Sequence, residues 1–565
     1  MNVKKIISLL MLFMGIVVIE SCTDLDEEIL DETSATGLSE RETADGMLAP
    51  AYGVFSQLFT HTHYFNLQEI STDEAILPYR GGTDWGDNGI FIAMHTHNFA
   101  TTDPRIGGVW NNIFQGISRC VTALNVLPTL NTPEVNTYIA EVRALRAYYS
   151  MLTLDLFGLV LVKDEVGETS TILRGAEALE YIESELLAVE SEVSPSVGPG
   201  RISTAAVKGL LARLYLNAAV YRDRFAASFN FREEDMDKVI AYCDEIINSG
   251  QFQLSPEYFA LFDDENHDNP ELIFVYEQRA ELNGHNRMAY FSLSGDQYPL
   301  PEFPGANGTD GPGITSDFYR TWVNAYAPVD PADIDPRFYK ENLSIYSNPA
   351  DSCVAGEDFH INRGILRGEQ FGLIRENGVF VRCEDGVNFK VGKIYNESRN
   401  NPNLPVNFTE QIDFSVSGSG YSTGYRVEKY EFSRKSVSGR NFGEADISLL
   451  RLADVYLMRA EAKLRKNSDA AGALADVNIV RASRTARTPP PPLTEMSLDL
   501  LYRERGFEFY WEMLRRTDMI RFGKYEDSWT EKTNSDPLKR VFPIPQNAVD
   551  GASNIPGYLE QNEGY

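Results

Sequence analysis

Glu141-Val142-Arg143-Ala144-Leu145-Arg146-Ala147-Tyr148-Tyr149, running on to Leu156-Phe157-Gly158, is the stretch that decides how the chain folds. Val142, Leu145, Tyr149, Leu152 and Leu156 recur at intervals of three and four, so a helix gathers them on one face and must bury that face against a neighbour. Gly158 is placed to end it. Working outward, Ser203 or Thr204 caps a second helix whose apolar stripe is Val207, Leu210, Leu211, Leu214, Ala218 and Tyr221. A third passes through Val239, Cys243, Ile246 and Ile247 to Gly250. Val109 to Leu127 predicts another, with Trp110 on its core side.

Between Gln251 and Glu444 the helical pattern gives way to Pro, Gly, Asn and aromatic residues with short apolar runs such as Leu272-Ile273-Phe274-Val275-Tyr276. It returns at Leu450, Ala453, Leu457, Ala460 and Leu464, where large and small residues alternate and a neighbouring helix can approach at the alanines. Residues 470–484 read as that partner. The expectation is a mainly α fold: a TPR-like scaffold of paired helices with a large irregular, loop-rich subdomain inserted in the middle. No strict repeat of about 34 residues is visible. The expected divisions are 1–21, a signal peptide; 22–250, an N-terminal helical region; 251–444, the inserted subdomain; and 445–565, a C-terminal helical region.

The 565 residues are 43% hydrophobic and 24% charged, ordinary for a folded protein. Fifty-one basic residues against 82 acidic ones leave a formal charge of -31, which repels the phosphate backbone of any nucleic acid. A neutral ligand meets no such barrier and is held by stacking and hydrogen bonds.

Lys4 and Lys5 precede an apolar run from Ile6 to Ile19 that is short for a membrane span, the pattern of a signal peptide. It stops at Glu20-Ser21-Cys22, as in the cleavage box of bacterial lipoproteins, so Cys22 is expected to become the lipidated first residue. Glu20 departs from the usual residue there, and the competing reading is a plain secretory signal with Cys22 an ordinary thiol. The acidic Thr23-Asp24-Leu25-Asp26-Glu27-Glu28 looks like the surface-export signals behind the lipid cysteine of outer-membrane lipoproteins. Cys120, Cys243, Cys353 and Cys383 form no C-x-x-C pair, which argues against zinc or thioredoxin-type chemistry. Cys353 and Cys383 fall in one loop-rich region and are candidates for a disulfide.

Residues 66–103 offer the chemistry of a sugar-binding face. Trp85 and Tyr79 can stack on the apolar side of a ring, while Asp73, Arg80 and Asn88 can meet its hydroxyls. The alternative has both rings packing a loop and Asp73 paired with Arg80. Tyr298 and Trp322, in Pro- and Gly-rich surroundings, are further ligand candidates. His61 with His63 and His95 with His97 form H-x-H pairs without an evident third ligand, so loop or surface histidines are the expectation, with no bound metal. Asp263-Asp264-Glu265 lacks the spacing of a calcium loop and reads as a solvated turn. No nucleophile elbow, P-loop or dinucleotide fingerprint stands out, and no cofactor is expected.

Three segments together resemble the SusD/RagB family: Glu141 to Gly158; Leu450-Arg451-Leu452-Ala453-Asp454-Val455-Tyr456-Leu457-Met458-Arg459-Ala460-Glu461-Ala462; and Glu504-Arg505 through Glu508, Glu512, Arg515, Asp518 and Arg521 to Phe542-Pro543-Ile544-Pro545 and Gln561-Asn562-Glu563-Gly564-Tyr565. The charges of the third segment sit mostly three or four apart, as on one helix, and read as an ion-pair girdle, not a catalytic carboxylate pair. The resemblance implies a lipid-anchored outer-membrane protein that faces the cell surface and captures oligosaccharides without cutting them. It also implies a partner, a TonB-dependent transporter of the SusC type, and binding roles for Asp73, Arg80 and Trp85. Peptide capture, known among the family, is the second reading. A glycoside hydrolase, with Asp84 and Asp87 as candidate carboxylates, is the third.

Overall fold

The computed structural model describes residues 38–80, 89–279, 288–297, 308–342, 352–415, 420–431 and 444–565. The signal segment, Cys22 and the acidic stretch behind it lie outside the described residues. The chain divides into a short N-terminal unit ending at Thr43 and a compact unit from Ala44 to Tyr565.

Among the described residues the main helices are α1 (Glu40–Gly53), α2 (Pro104–Val126), α3 (Val135–Phe157), α4 (Gly175–Val189), α5 (Thr204–Leu216), α6 (Glu233–Asn248), α7 (Ser316–Tyr326), α8 (Leu452–Asn467), α9 (Ala470–Ser483), α10 (Leu498–Phe509) and α11 (Arg515–Arg521). They pack in pairs, α2 on α3, α3 on α4, α5 on α6, α6 on α8 and α8 on α9, so the mainly α, TPR-like expectation describes the fold. The predicted stop at Gly158 is real: its φ is 71°, and its N–H donates to the Leu154 carbonyl. Ser203 caps α5 by accepting from the Ala206 N–H. That helix ends at Leu216, short of the predicted stripe, and Ala218–Arg222 form a separate short helix. A Cβ on Gly116 would lie 2.4 Å from the Tyr149 ring, so glycine lets α2 and α3 meet there.

Short strands join these helices. β1 (Leu159–Val162) and β2 (Thr171–Arg174) form a hairpin after α3, whereas β3 (Leu272–Tyr276) pairs antiparallel with β4 (Ile447–Arg451). Leu450 therefore belongs to a strand and not to the following helix. A Cβ on Gly209 would meet its side chain at 2.1 Å, which is why α5 carries glycine there. A strand from residues 251–444 is thus welded to the C-terminal region, and α7 joins the main core through Phe318, Tyr319 and Trp322. The remaining middle segment has its own core of Phe359, Ile361, Leu373, Phe389, Val391 and Ile394 beneath short antiparallel strands. A Cys353–Cys383 disulfide ties that segment together.

The charged C-terminal residues do not share one helix. α10 ends at Phe509, and Trp511 and Met513 take positive φ of 64° and 62° before α11 begins. Their pairs are mostly long-range. Arg505 bridges Asp454 at 2.9 Å and Asp518 at 2.7 Å, and Arg521 bridges Glu461 at 2.7 Å and Asp518 at 2.6 Å. Burial alone would raise the Asp454 carboxyl, but Arg505 and Arg213 outweigh it and hold it at about 2. Glu461 is held at about 2 by Arg521 and Arg465 against the same burial.

Candidate functional site

The chain turns sharply after the π-helical Asn66–Ile70 and presents Asp73, Tyr79 and Arg80 within ten residues. Arg80 is only 2% exposed. Its Nε donates to the Asp310 carbonyl at 2.8 Å, Nη2 to the Gly311 carbonyl at 2.8 Å, and Nη1 to the Gly420 carbonyl at 3.1 Å and the Thr423 hydroxyl at 3.0 Å. Burial and the nearby Arg426 hold its pKa well below the usual arginine value. Arg80 is therefore a strut beneath the face and not a hydroxyl donor on it. It satisfies carbonyls that loops without a ladder leave bare, and so joins residues 308–311 to residues 420–423.

Asp73 is likewise committed. Arg515 grips both its oxygens, at 2.7 and 2.8 Å, so its salt bridge is with α11 and not with Arg80. Trp322 is corrected outright: it is 0% exposed, stacks on Phe507 with centroids 3.7 Å apart and meets Phe338 edge-on at 5.2 Å. No face is left for a sugar. Trp322→Ala is expected to lower stability by about 3–5 kcal/mol, as large-to-small core changes do, read as a fall in the urea midpoint; an unchanged midpoint would contradict the core placement.

Tyr79 is half-buried, and among the described residues its hydroxyl makes no hydrogen bond. It is the described candidate with capacity left for a ligand. Trp85, Asn88 and Tyr298 lie outside the described residues, as do Asp84 and Asp87. Three residues not singled out in the sequence stand beside the Arg80 strut. Arg399 donates through Nε to the Asp310 carboxylate at 2.9 Å and lies 5.2 Å from the half-buried Tyr421 ring. A signal for Tyr421 exists in its setting, an aromatic between Gly420 and Gly424. What the described part of this face offers is part-exposed Tyr79 and Tyr421 rings, with Arg399 held by the buried Asp310.

The histidine pairs serve packing. His95 bonds through Nδ1 with the carbonyls of Ile70 and Ala75 at 3.0 and 3.1 Å and through Nε2 with Thr530 at 2.7 Å. His97 bonds with the Ser71 carbonyl at 2.8 Å and stacks on Tyr525 at 4.3 Å. Both are buried, which corrects the surface reading, and burial lowers both pKa values. They latch the turn around residues 70–75 to the C-terminal segment. Asp263 is paired with Arg363 at 2.6 Å. Among the described residues no group of three or more His, Cys, Asp or Glu is placed to hold a metal ion, and no helix is long and apolar enough to cross a membrane.

Residues 332–565 match the SusD family model. The chain is 26% identical over 522 residues to the starch-binding protein SusD of Bacteroides thetaiotaomicron, a match covering 89% of this chain and 85% of that protein. In three dimensions it resembles a SusD superfamily protein from Parabacteroides distasonis, with a TM-score of 0.65 at 18% identity, covering 94% of this chain and 100% of the other. It also resembles surface glycan-binding protein A from Bacteroides thetaiotaomicron in complex with laminarihexaose, with a TM-score of 0.63 at 20% identity, covering 92% of this chain and 99% of the other. The resemblance to the SusD/RagB family read in the sequence is thus shared by a family-model match over the C-terminal part and by relatives similar along most of the chain.

Proposed function

We propose that the protein is a non-catalytic, lipid-anchored surface glycan-binding protein that captures oligosaccharides and passes them to a SusC-like, TonB-dependent outer-membrane transporter. The observation that carries this is the match along 89% of the chain to a relative named for binding starch. The formal charge of -31 favours a neutral ligand over a phosphate-bearing one. Cys22 carries the lipid, and the acidic residues behind it direct the protein to the outer face. The ligand face is the one around Tyr79 and Tyr421 beside the Arg80 strut, and Trp85, Asn88 and Tyr298 are further ligand contacts of the proposal. Asp73, Arg80 and Trp322 act through the scaffold.

Affinity electrophoresis against a panel of polysaccharides tests ligand class and binding together. Trp85→Ala is expected to weaken retardation about tenfold, roughly 1.4 kcal/mol, with an unchanged unfolding midpoint. Equal retardation of variant and parent across the panel would remove Trp85 from the site. Reducing ends released by the pure protein would overturn the non-catalytic reading.

A further inference from the structure

A cleft of about 410 Å³ lies against the N-terminal helices, lined among others by Asp45, Tyr52, Tyr138, Arg201, Tyr276 and Glu277. A second, of about 450 Å³, is lined by Gln57, Thr60, Thr62, His63, Asn111 and Asn112 among others. Ser56 lines both, so they adjoin as one groove, and neither includes Tyr79, Arg80, Arg399 or Tyr421.

The first half is built around a buried carboxylate. Glu141 is 1% exposed. It accepts from the Tyr52 hydroxyl at 2.6 Å and from Arg201 through Nε at 2.9 Å and through Nη2. The Tyr52 hydroxyl in turn accepts from the Ile202 N–H at 3.0 Å. Tyr138 donates to Asp45 at 2.7 Å and lies 5.4 Å beneath the Arg201 guanidinium. Two part-exposed tyrosine rings are thus fixed at their hydroxyl ends, and Arg201 keeps Nη1 without a hydrogen bond among the described residues. Preorganised rings beside a free donor are the furniture of a small-molecule site.

The second half is neutral. Burial pushes the His63 imidazole down to about 4, so it is uncharged near pH 7. The side-chain amides of Gln57, Asn111 and Asn112 make no hydrogen bond among the described residues. With Asp45 and Glu277 beside Arg201, the groove presents no excess of positive charge for an anion. Rings for C–H faces at one end and unpaired amides for hydroxyls at the other match a neutral, many-hydroxyl ligand several sugar rings long.

We propose that this groove is a second saccharide-binding site, separate from the Tyr79 face, with Tyr52 and Tyr138 as stacking residues and Asn111 and Asn112 as hydroxyl contacts. It rests on the glycan reading above. Calorimetric titration of the whole protein with a panel of hexasaccharides, laminarihexaose and maltohexaose included, tests it. Two molecules bound per chain are expected, falling to one in Tyr138→Ala/Asn112→Ala and to one in Trp85→Ala. Asn111→Ala/Asn112→Ala, on the part-exposed rim, gives the same fall if the tyrosine variant fails to fold. One molecule per chain in the parent, or two retained in the folded groove variants, overturns the second site while leaving the glycan reading standing. No binding of any hexasaccharide or polysaccharide by the parent fells both.

Discussion

Arg451→Met is expected to lower stability by at least about 3–5 kcal/mol, a large part of the roughly 5–15 kcal/mol that holds a folded domain together, and to leave little folded protein at 37 °C. The Arg451 guanidinium is buried and reaches Glu271 at 2.7 Å, Glu508 at 2.8 Å and Glu512 at 2.8 Å, with the Glu508 carbonyl at 2.9 Å. Those three carboxylates come from the residue before β3, from α10 and from the strained turn after it, so one side chain at the end of β4 joins all three. Methionine fills similar space but leaves the carboxylates facing one another. Arg484 still serves Glu271 and Glu508, and Lys429 still serves Glu512, yet each carboxylate loses a counter-charge while buried. Lys393→Met is the control: its pair with Glu369 at 2.6 Å is exposed on both sides, and its loss is expected to move the urea midpoint by less than the scatter of the measurement. Equal midpoints for the two variants would remove the girdle from the account of stability.

Most of the helical scaffold was legible because its signals are local. A three-and-four spacing, a serine before it and a glycine after it fix α3 and α5 with no knowledge of what they touch. The ligand face was less legible, because a residue's type does not say which way it points. Arg80 stands among glycines and an exposed-looking Trp85, the setting of a surface donor, yet the glycine-rich segments at 308–311 and 420–424 bring bare carbonyls to it from more than two hundred residues away. Trp322 carried a readable warning in Phe318 and Tyr319 at helical spacing, a core stripe obscured by the prolines and glycines around it. The girdle was recognised as ion pairs, but its partners lie on other elements. Spacing along one helix cannot show a turn at Trp511 and Met513, where two non-glycine residues take the left-handed conformation.

Glu74→Gln is expected to shrink a loss of stability that the parent protein suffers between mildly acidic and mildly alkaline pH. Two carboxyls stand behind that strained turn: Glu74 accepts from the Trp511 N–H at 2.6 Å, and Glu69 accepts from the Met513 N–H. Burial pushes Glu74 up from 4.5 to about 8, against the pull of Arg515, the Trp511 N–H and Lys429 and with a further push from Asp73. Burial and then the charge of Glu74 push Glu69 well up too. Folding therefore favours the protonated acid, and the stability tied to that proton is complete below about 4.5, its value in the unfolded chain, and is lost as pH rises through about 8. At about 1.36 kcal/mol per pH unit for one group, the parent should lose roughly 3 kcal/mol between about pH 5.5 and pH 8. The glutamine amide keeps the acceptor for Trp511 and carries no titrating proton, so the part of the fall that belongs to Glu74 should vanish from its urea midpoint, while Glu69, raised first by its own burial, still titrates. Asp454 and Glu461 lose their contribution only as pH falls toward about 2, and the buried histidines titrate alike in both proteins, so the difference between the two curves reports Glu74 together with its push on Glu69. Parallel curves for parent and variant would mean that the carboxylate stays charged behind the turn and that Arg515 and Lys429 hold it there.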